Sequence, residues 1–211
     1  GRIGRGWYSP SRSGIWMSII LRPKIFPEQA PFMTMLAALA VVQAIEQVAG
    51  VKAGIKWPND IILENKKVCG ILTEISAEIG RVNHIVIGIG INVNISIGDI
   101  PKEIREIATS LESVTGCKMD RNELIVKILE NFEQIYIKGM DENSKKMVMD
   151  EYRNYCLTLG RRVIVHFQEK SIQGTALAIA DDGQLVVQTD DGIRHNILSG
   201  EVSVRGLYGY V

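Results

Sequence analysis

The sequence predicts an α+β fold: a mixed β-sheet with packed helices over residues 1–156, followed by a small β-barrel over residues 157–211. Three observations predict it. Between residues 15 and 155, β-prone runs are interleaved with apolar stripes at helical spacing. After Gly160 the texture changes to five short strands separated by turn residues. The chain is 46% hydrophobic and 23% charged, the make-up of an ordinary globular protein with enough apolar material for a core.

Each element has a local cause. Residues 15–21 alternate Trp16, Ser18 and Ile20 with Ile15, Met17, Ile19 and Leu21. Both faces are largely apolar, which places this strand inside a sheet. Residues 28–48 form a helix whose stripe is Phe32, Met35, Leu36, Leu39 and Val42, with Glu46 and Gln47 off it and Gly50 as its stop. Two short strands, 54–57 and 60–63, are separated by Pro58. Proline fixes φ and removes a donor, so an irregular turn there pushes Asn59 and Asp60 out at a strand end. A polar turn at 64–67 leads into a strand at 68–75. Residues 85–94 alternate Ile85, Ile87, Ile89, Ile91 and Val93 with Gly88, Gly90, Asn92 and Asn94. Two glycines on one strand face need a reason: another element packs very closely, or a flat ligand lies on the backbone. Residues 97–113 begin as a loop with Gly98 and Pro101. A helix then starts at the N-cap Asp120, with Glu123 at the capping-box position, a stripe of Leu124, Ile128, Phe132 and Ile135, and Gly139 at its end. Residues 144–155 read as a shorter helix. The C-terminal strands are 162–168, 171–179, 184–189, 193–198 and 201–205, with Asp182-Gly183 and Asp191-Gly192 as hairpin signals.

Composition excludes several functions. Lys+Arg and Asp+Glu are both 24, so no bulk charge points to nucleic acid or to a membrane surface. Cys69, Cys117 and Cys156 are far apart and odd in number, which gives neither a disulfide framework nor metal spacing, and a reducing cytoplasm is the expected setting. The longest apolar run, 35–42, falls well short of the ~20 residues of a membrane helix. No signal peptide is visible, and a chain that starts at Gly inside a motif reads as part of a longer protein.

The chemistry-bearing residues cluster in three stretches. Gly1–Pro10, GRIGRGWYSP, alternates Gly1, Gly4 and Gly6 with Arg2 and Arg5 ahead of Trp7. This is a flexible tail, or a loop whose amides and guanidinium groups hold an anion. The second stretch, KWPNDIILENKKVCGI from Lys56, brings a lysine, an amide and a carboxylate close to Gly70. On its own Asp60 reads as a turn-capping aspartate or as a proton acceptor, and Lys66 and Lys67 read as a solvated hairpin tip or as a source of positive charge. The third stretch is IVIGIGINVN at 85–94.

These three stretches, in this order and spacing, resemble the biotin protein ligase family. The resemblance implies a class II synthetase-like ligase domain followed by an SH3-like barrel. It implies an ATP-dependent reaction that forms biotinyl-5′-AMP and then passes biotin to a lysine of a biotin carboxyl carrier protein, with biotin, ATP and Mg²⁺ bound. By its motifs Lys67, Asp60 and Arg2 are the catalytic candidates. Ligand contacts fall on Gly1, Arg2, Gly4, Arg5, Trp7, Lys56, Trp57, Asn59, Lys67, Gly70, Gly88, Gly90, Asn92 and Arg205. Lys67 takes the place of the family's essential lysine because it stands three residues before Gly70. The strands that supply the ureido contacts in the family precede Gly1. An alternative in the same family is a bifunctional ligase and biotin-dependent repressor, if a winged helix precedes residue 1. Lipoate is the lesser alternative substrate, and a non-catalytic carrier-binding module is a further reading. Homodimer formation is left open. No nucleic-acid or membrane contact is expected through the residues seen.

Overall fold

The structure is a computed structural model, and it describes residues 7–167, 170–199 and 202–206. Its α+β architecture has two antiparallel sheets and four α-helices among the described residues. The first sheet holds β1 (Gly14–Leu21), β2 (Gly54–Lys56), β3 (Asp60–Leu63), β4 (Lys66–Glu78) and β5 (Arg81–Asn92), in the order β1-β5-β4-β3-β2. Among the described residues parallel pairing is confined to two isolated bridges, Ile55 with Cys156 and Lys67 with Ala108. The second sheet holds β6 (Arg162–Phe167), β7 (Lys170–Ile179), β8 (Leu185–Gln188), β9 (Arg194–Ile197) and β10 (Val202–Gly206), in the order β10-β6-β7-β8-β9.

The core lies between one face of the first sheet and the helices. Helix α1 (Ala30–Ala49) is apolar nearly all round because it is covered nearly all round, by β4 and β5 on one side and by α3 (Arg121–Met140) and α4 (Lys145–Tyr155) on the other. With its leading turn this segment, Pro27–Ala49, has the length and hydropathy to cross a membrane, yet most of it is buried in this core. Gly50 closes it at φ 66°, its N–H reaching the Glu46 carbonyl. Asp120 caps α3 as its sequence predicts, accepting from the N–H of Asn122 at 2.8 Å.

Two sequence expectations are corrected. β1 is an edge strand among the described residues, and its Trp16 face is partly open, with Ile20 exposed. Lys66 and Lys67 belong to β4, not to the turn. The turn is the two residues Glu64 and Asn65, with φ of 47° and 62°, a pair of left-handed residues whose twist matches a tight hairpin. The stretch that begins as a loop at residue 97 ends in a short helix α2 (Leu111–Thr115), capped by Ser110.

Between α1 and α4, the Tyr155 hydroxyl donates to Glu46 at 2.8 Å. Burial, and then the acceptor Glu46, push this phenol up to about 12. The folded chain therefore holds a proton that the unfolded chain releases from about pH 10 upward, so stability falls as pH rises through that window. Denaturation midpoints measured at rising alkaline pH should fall more steeply for the wild type than for Tyr155→Phe.

Candidate functional site

The antiparallel register lays out one row across the first sheet. Trp16 pairs with Gly90, Gly90 with Gly70, Gly70 with Asp60 and Asp60 with Lys56. Directly paired residues share a face, and the isoleucines between them turn to the helices. The opposite face is thus a floor of bare backbone at Gly70 and Gly90, with an aromatic at one end and charge at the other. Ser18, Gly88 and Leu72 form the next row, so Gly88 extends the floor and Leu72 edges it.

Strand alternation alone sets Lys67 and Gly70 on opposite faces, since they are three residues apart. A β-bulge reverses this. Ile61 pairs with Cys69 while Ile62 pairs with Lys67, leaving Val68 as the extra residue. Lys67 therefore lies over Gly70, where a Cβ on that glycine would come within 2.9 Å of its Cε. Its ammonium donates to Asp60 Oδ1 at 2.5 Å, and both side chains are largely buried. Lys66 turns the other way and donates to the Arg105 carbonyl at 3.1 Å. The Lys67 backbone is gripped by the 107–109 segment, with N–H to the Ile107 carbonyl at 2.8 Å and its carbonyl accepting from Thr109 N–H at 2.9 Å. The neighbouring Cys69 faces the core. Burial pushes its thiol far up, outweighing Lys67, so it is not a nucleophile.

Trp7 lies across the floor. Its indole covers the Cβ positions of both Gly70 and Gly90, stands edge-on to Trp16 with ring centres 6.3 Å apart, and carries the Lys67 ammonium 5.1 Å from its ring centre. Its Nε1 is buried with no hydrogen-bond partner among the described residues. Trp16 is a member of this site that sequence reasoning missed. The signal was its place on the Ser18 face of β1, which an edge strand turns toward the site.

The remaining predicted residues divide. Lys56 is buried at the charged end of the row. Asn59 stands beside Asp60, where its side-chain amide donates to the Ile71 carbonyl at 2.7 Å and its own carbonyl accepts from Ile71 N–H. It also lines, with Leu72, Thr73 and Thr34, a cleft of about 220 Å³ next to the row. Two others are engaged by the protein itself. Trp57 is 2% exposed and turned away from the floor, its indole N–H donating to the Gly183 carbonyl at 3.1 Å, because the backbone before Pro58 runs against the C-terminal sheet. The Asn92 amide is buried and donates to the Thr109 carbonyl at 2.9 Å, which makes it a strap for the 107–109 segment. Gly1, Arg2, Gly4 and Arg5 lie outside the described residues. Arg205 falls on β10 opposite Ile164, and its side chain is likewise outside them.

The arrangement provides a flat glycine floor covered by the Trp7 indole, with an ammonium held over its end by a carboxylate. Among the described residues no group of three His, Cys, Asp or Glu side chains forms a metal centre.

The chain matches two family models. Residues 1–92 match the biotin/lipoate A/B protein ligase family, and residues 158–205 match the biotin protein ligase C-terminal domain. A bifunctional ligase/repressor BirA of Bacillus subtilis is 43% identical over 204 residues, which cover 97% of this chain and 62% of that protein. A biotin–[acetyl-CoA-carboxylase] ligase of Mycobacterium tuberculosis is 32% identical, covering 88% of this chain and 67% of that one. The solved biotin protein ligase of Aquifex aeolicus in complex with biotin and ATP superposes with a TM-score of 0.85 at 32% identity, over 98% of this chain and 84% of that one. The chain thus spans about 62% of the length of the curated Bacillus relative.

Proposed function

The chain belongs to the biotin protein ligase family, and on that premise we propose that it joins biotin to ATP and hands the activated biotin to a lysine of a carboxylase carrier protein. The observation that carries this reading is the Lys67–Asp60 pair, held at 2.5 Å over Gly70 at the end of the glycine floor. Biotin is flat and, apart from its ureido group and its carboxylate, apolar. Once the Trp7 indole moves off Gly70 and Gly90, the Gly70–Gly90–Gly88 floor, edged by Leu72, takes its length, with the carboxylate directed to Lys67. In the first step a carboxylate oxygen attacks the α-phosphorus of ATP and pyrophosphate leaves. An anion meets a polyanion, so positive charge fixed in advance is the main requirement, and Lys67 supplies it. In the second step the carrier lysine attacks the acyl carbon of biotinyl-5′-AMP, AMP leaves, and the amine loses a proton. Asp60 is placed to orient that amine and accept its proton. Mg²⁺ would enter with the nucleotide, held by substrate phosphates and one or two carboxylates in place of a protein cage, and Asp60, beside Lys67, is a carboxylate that would hold it. Bound there, it would neutralise phosphate charge.

Incubation with biotin, ATP and Mg²⁺ should yield biotinyl-5′-AMP by mass spectrometry, and addition of a biotin carboxyl carrier protein should consume it. Product from lipoate and none from biotin would overturn the substrate while keeping the reaction class.

The floor has its own test. A Cβ at Gly88 meets nothing nearer than the Leu72 carbonyl at 3.6 Å, so Gly88→Ala fits the folded chain. Its thermal midpoint should match the wild type, while biotin affinity measured by calorimetry should fall about tenfold, roughly 1.4 kcal/mol, because the added methyl takes the ligand's place. Unchanged affinity would move biotin off this strand.

A further inference from the structure

We infer that Trp57 is a positioning residue for Asp60, through which the C-terminal sheet acts on the chemistry. The inference rests on the ligase reading above and extends it to a residue that touches no substrate. Three backbone groups between Ile55 and Pro58 are bonded to α4 and the residues that follow it. The Ile55 carbonyl accepts from Leu157 N–H at 2.8 Å, and Trp57 N–H donates to Thr158 Oγ1 at 2.9 Å. The Pro58 carbonyl accepts from the buried Tyr152 hydroxyl at 3.1 Å. The Trp57 indole adds a bond that reaches beyond α4 and its linker, to the Gly183 carbonyl in the β7–β8 turn.

That turn is itself fixed. Gly183 sits at φ 88°, its N–H closes onto the Ala180 carbonyl, and Met35 of α1 fills the space where a Cβ would stand. Arg153 of α4 ties to it from the side, donating to the Ile179 carbonyl at 2.8 Å and to Asp181 at 2.5 Å. The indole is buried, so its bond to Gly183 is shielded from water and holds a definite length. On the front of the same segment, Asn59 locks to Ile71 and Asp60 meets Lys67. Trp57 is therefore the link between a rigid turn of the C-terminal sheet and the carboxylate three residues later. Losing it lets the Pro58–Asp60 turn relax against Lys67 without emptying the core.

Trp57→Phe keeps a buried ring and removes the donor. In the full chain it should lower kcat for carrier biotinylation by about tenfold, the scale of a small misplacement far from the reacting atoms, while KM for biotin and for ATP stays within about twofold. The carbon NMR signal of the Asp60 carboxyl and the nitrogen signal of the Lys67 ammonium should shift at fixed pH, with or without substrate. Val187→Ala serves as the comparison: it opens a cavity in the same sheet, lowers the thermal midpoint and leaves both signals and kcat in place. Trp57→Phe with wild-type kcat and unmoved Asp60 and Lys67 signals would overturn the inference. So would a Val187→Ala that moves them equally, since the effect would then be general loosening of the C-terminal sheet. The NMR arm decides the positioning role even if the wild-type chain makes no biotinyl-5′-AMP, an outcome that would count against the ligase reading alone.

Discussion

Lys67→Ala slows biotinyl-5′-AMP formation by about two to three orders of magnitude, the loss that follows removal of one preorganised charge from a water-poor site. The ammonium is held by Asp60 at 2.5 Å over Gly70, and its backbone is clamped on both sides by the 107–109 segment, so its position is set before substrate arrives. In the proposed reaction charge builds on the oxygens between the biotin carboxyl and the α-phosphate in both steps, and that is where such a group would act. Biotin binding without ATP should change little, because in the proposed binding mode the bicyclic end lies along the floor and away from the lysine. Lys66→Ala should be nearly silent, since its ammonium is directed to the Arg105 carbonyl on the far side of β4. Pyrophosphate release in the first turnover measures the rate, and calorimetry measures the binding. Equal losses for the two lysines would reduce the site to a general positive patch. A silent Lys67→Ala beside a damaged Lys66→Ala would place the reacting charge on the other face of the sheet.

Much of the framework was legible because it is written in local chemistry. The stripe of α1, the Asp120 cap of α3, the Gly50 stop and the Asp-Gly turns of the C-terminal sheet each follow from a few adjacent residues. What was not legible depends on pairing. β1 carries apolar residues on both faces, which normally means an interior strand, but here Trp16 is part of the aromatic end of the site. Lys67 and Gly70 share a face only through the bulge at Val68, which no residue type announces. The Glu64-Asn65 turn lacks a glycine, so Lys66 and Lys67 read as turn residues although they begin a strand. Trp57 and Asn92 stand next to residues of the row, and a motif cannot say that one faces the C-terminal sheet and the other the Thr109 carbonyl.

Asp60→Asn separates the two jobs this carboxylate can do. The substitution keeps size and the geometry of the Pro58–Asp60 turn, and it removes the charge. If Asp60 takes the proton from the carrier amine, transfer from preformed biotinyl-5′-AMP should slow by about two to four orders of magnitude, the usual contribution of a placed base. Adenylate formation should slow less, because no proton moves in that step, the Lys67 backbone stays clamped by the 107–109 segment, and the amide oxygen introduced by Asp60→Asn can still accept from the ammonium beside Trp7. The half-reactions are measured apart, the first by pyrophosphate release and the second by a single turnover of biotinyl-5′-AMP with carrier. Raising the pH should recover part of the transfer rate in Asp60→Asn, since more of the carrier lysine is then already neutral, and the wild type should gain less from the same change. An equal loss in both half-reactions, with no recovery at high pH, would mean that Asp60 serves only to hold Lys67 in place. The base would then have to be sought elsewhere on the face that the glycine floor presents.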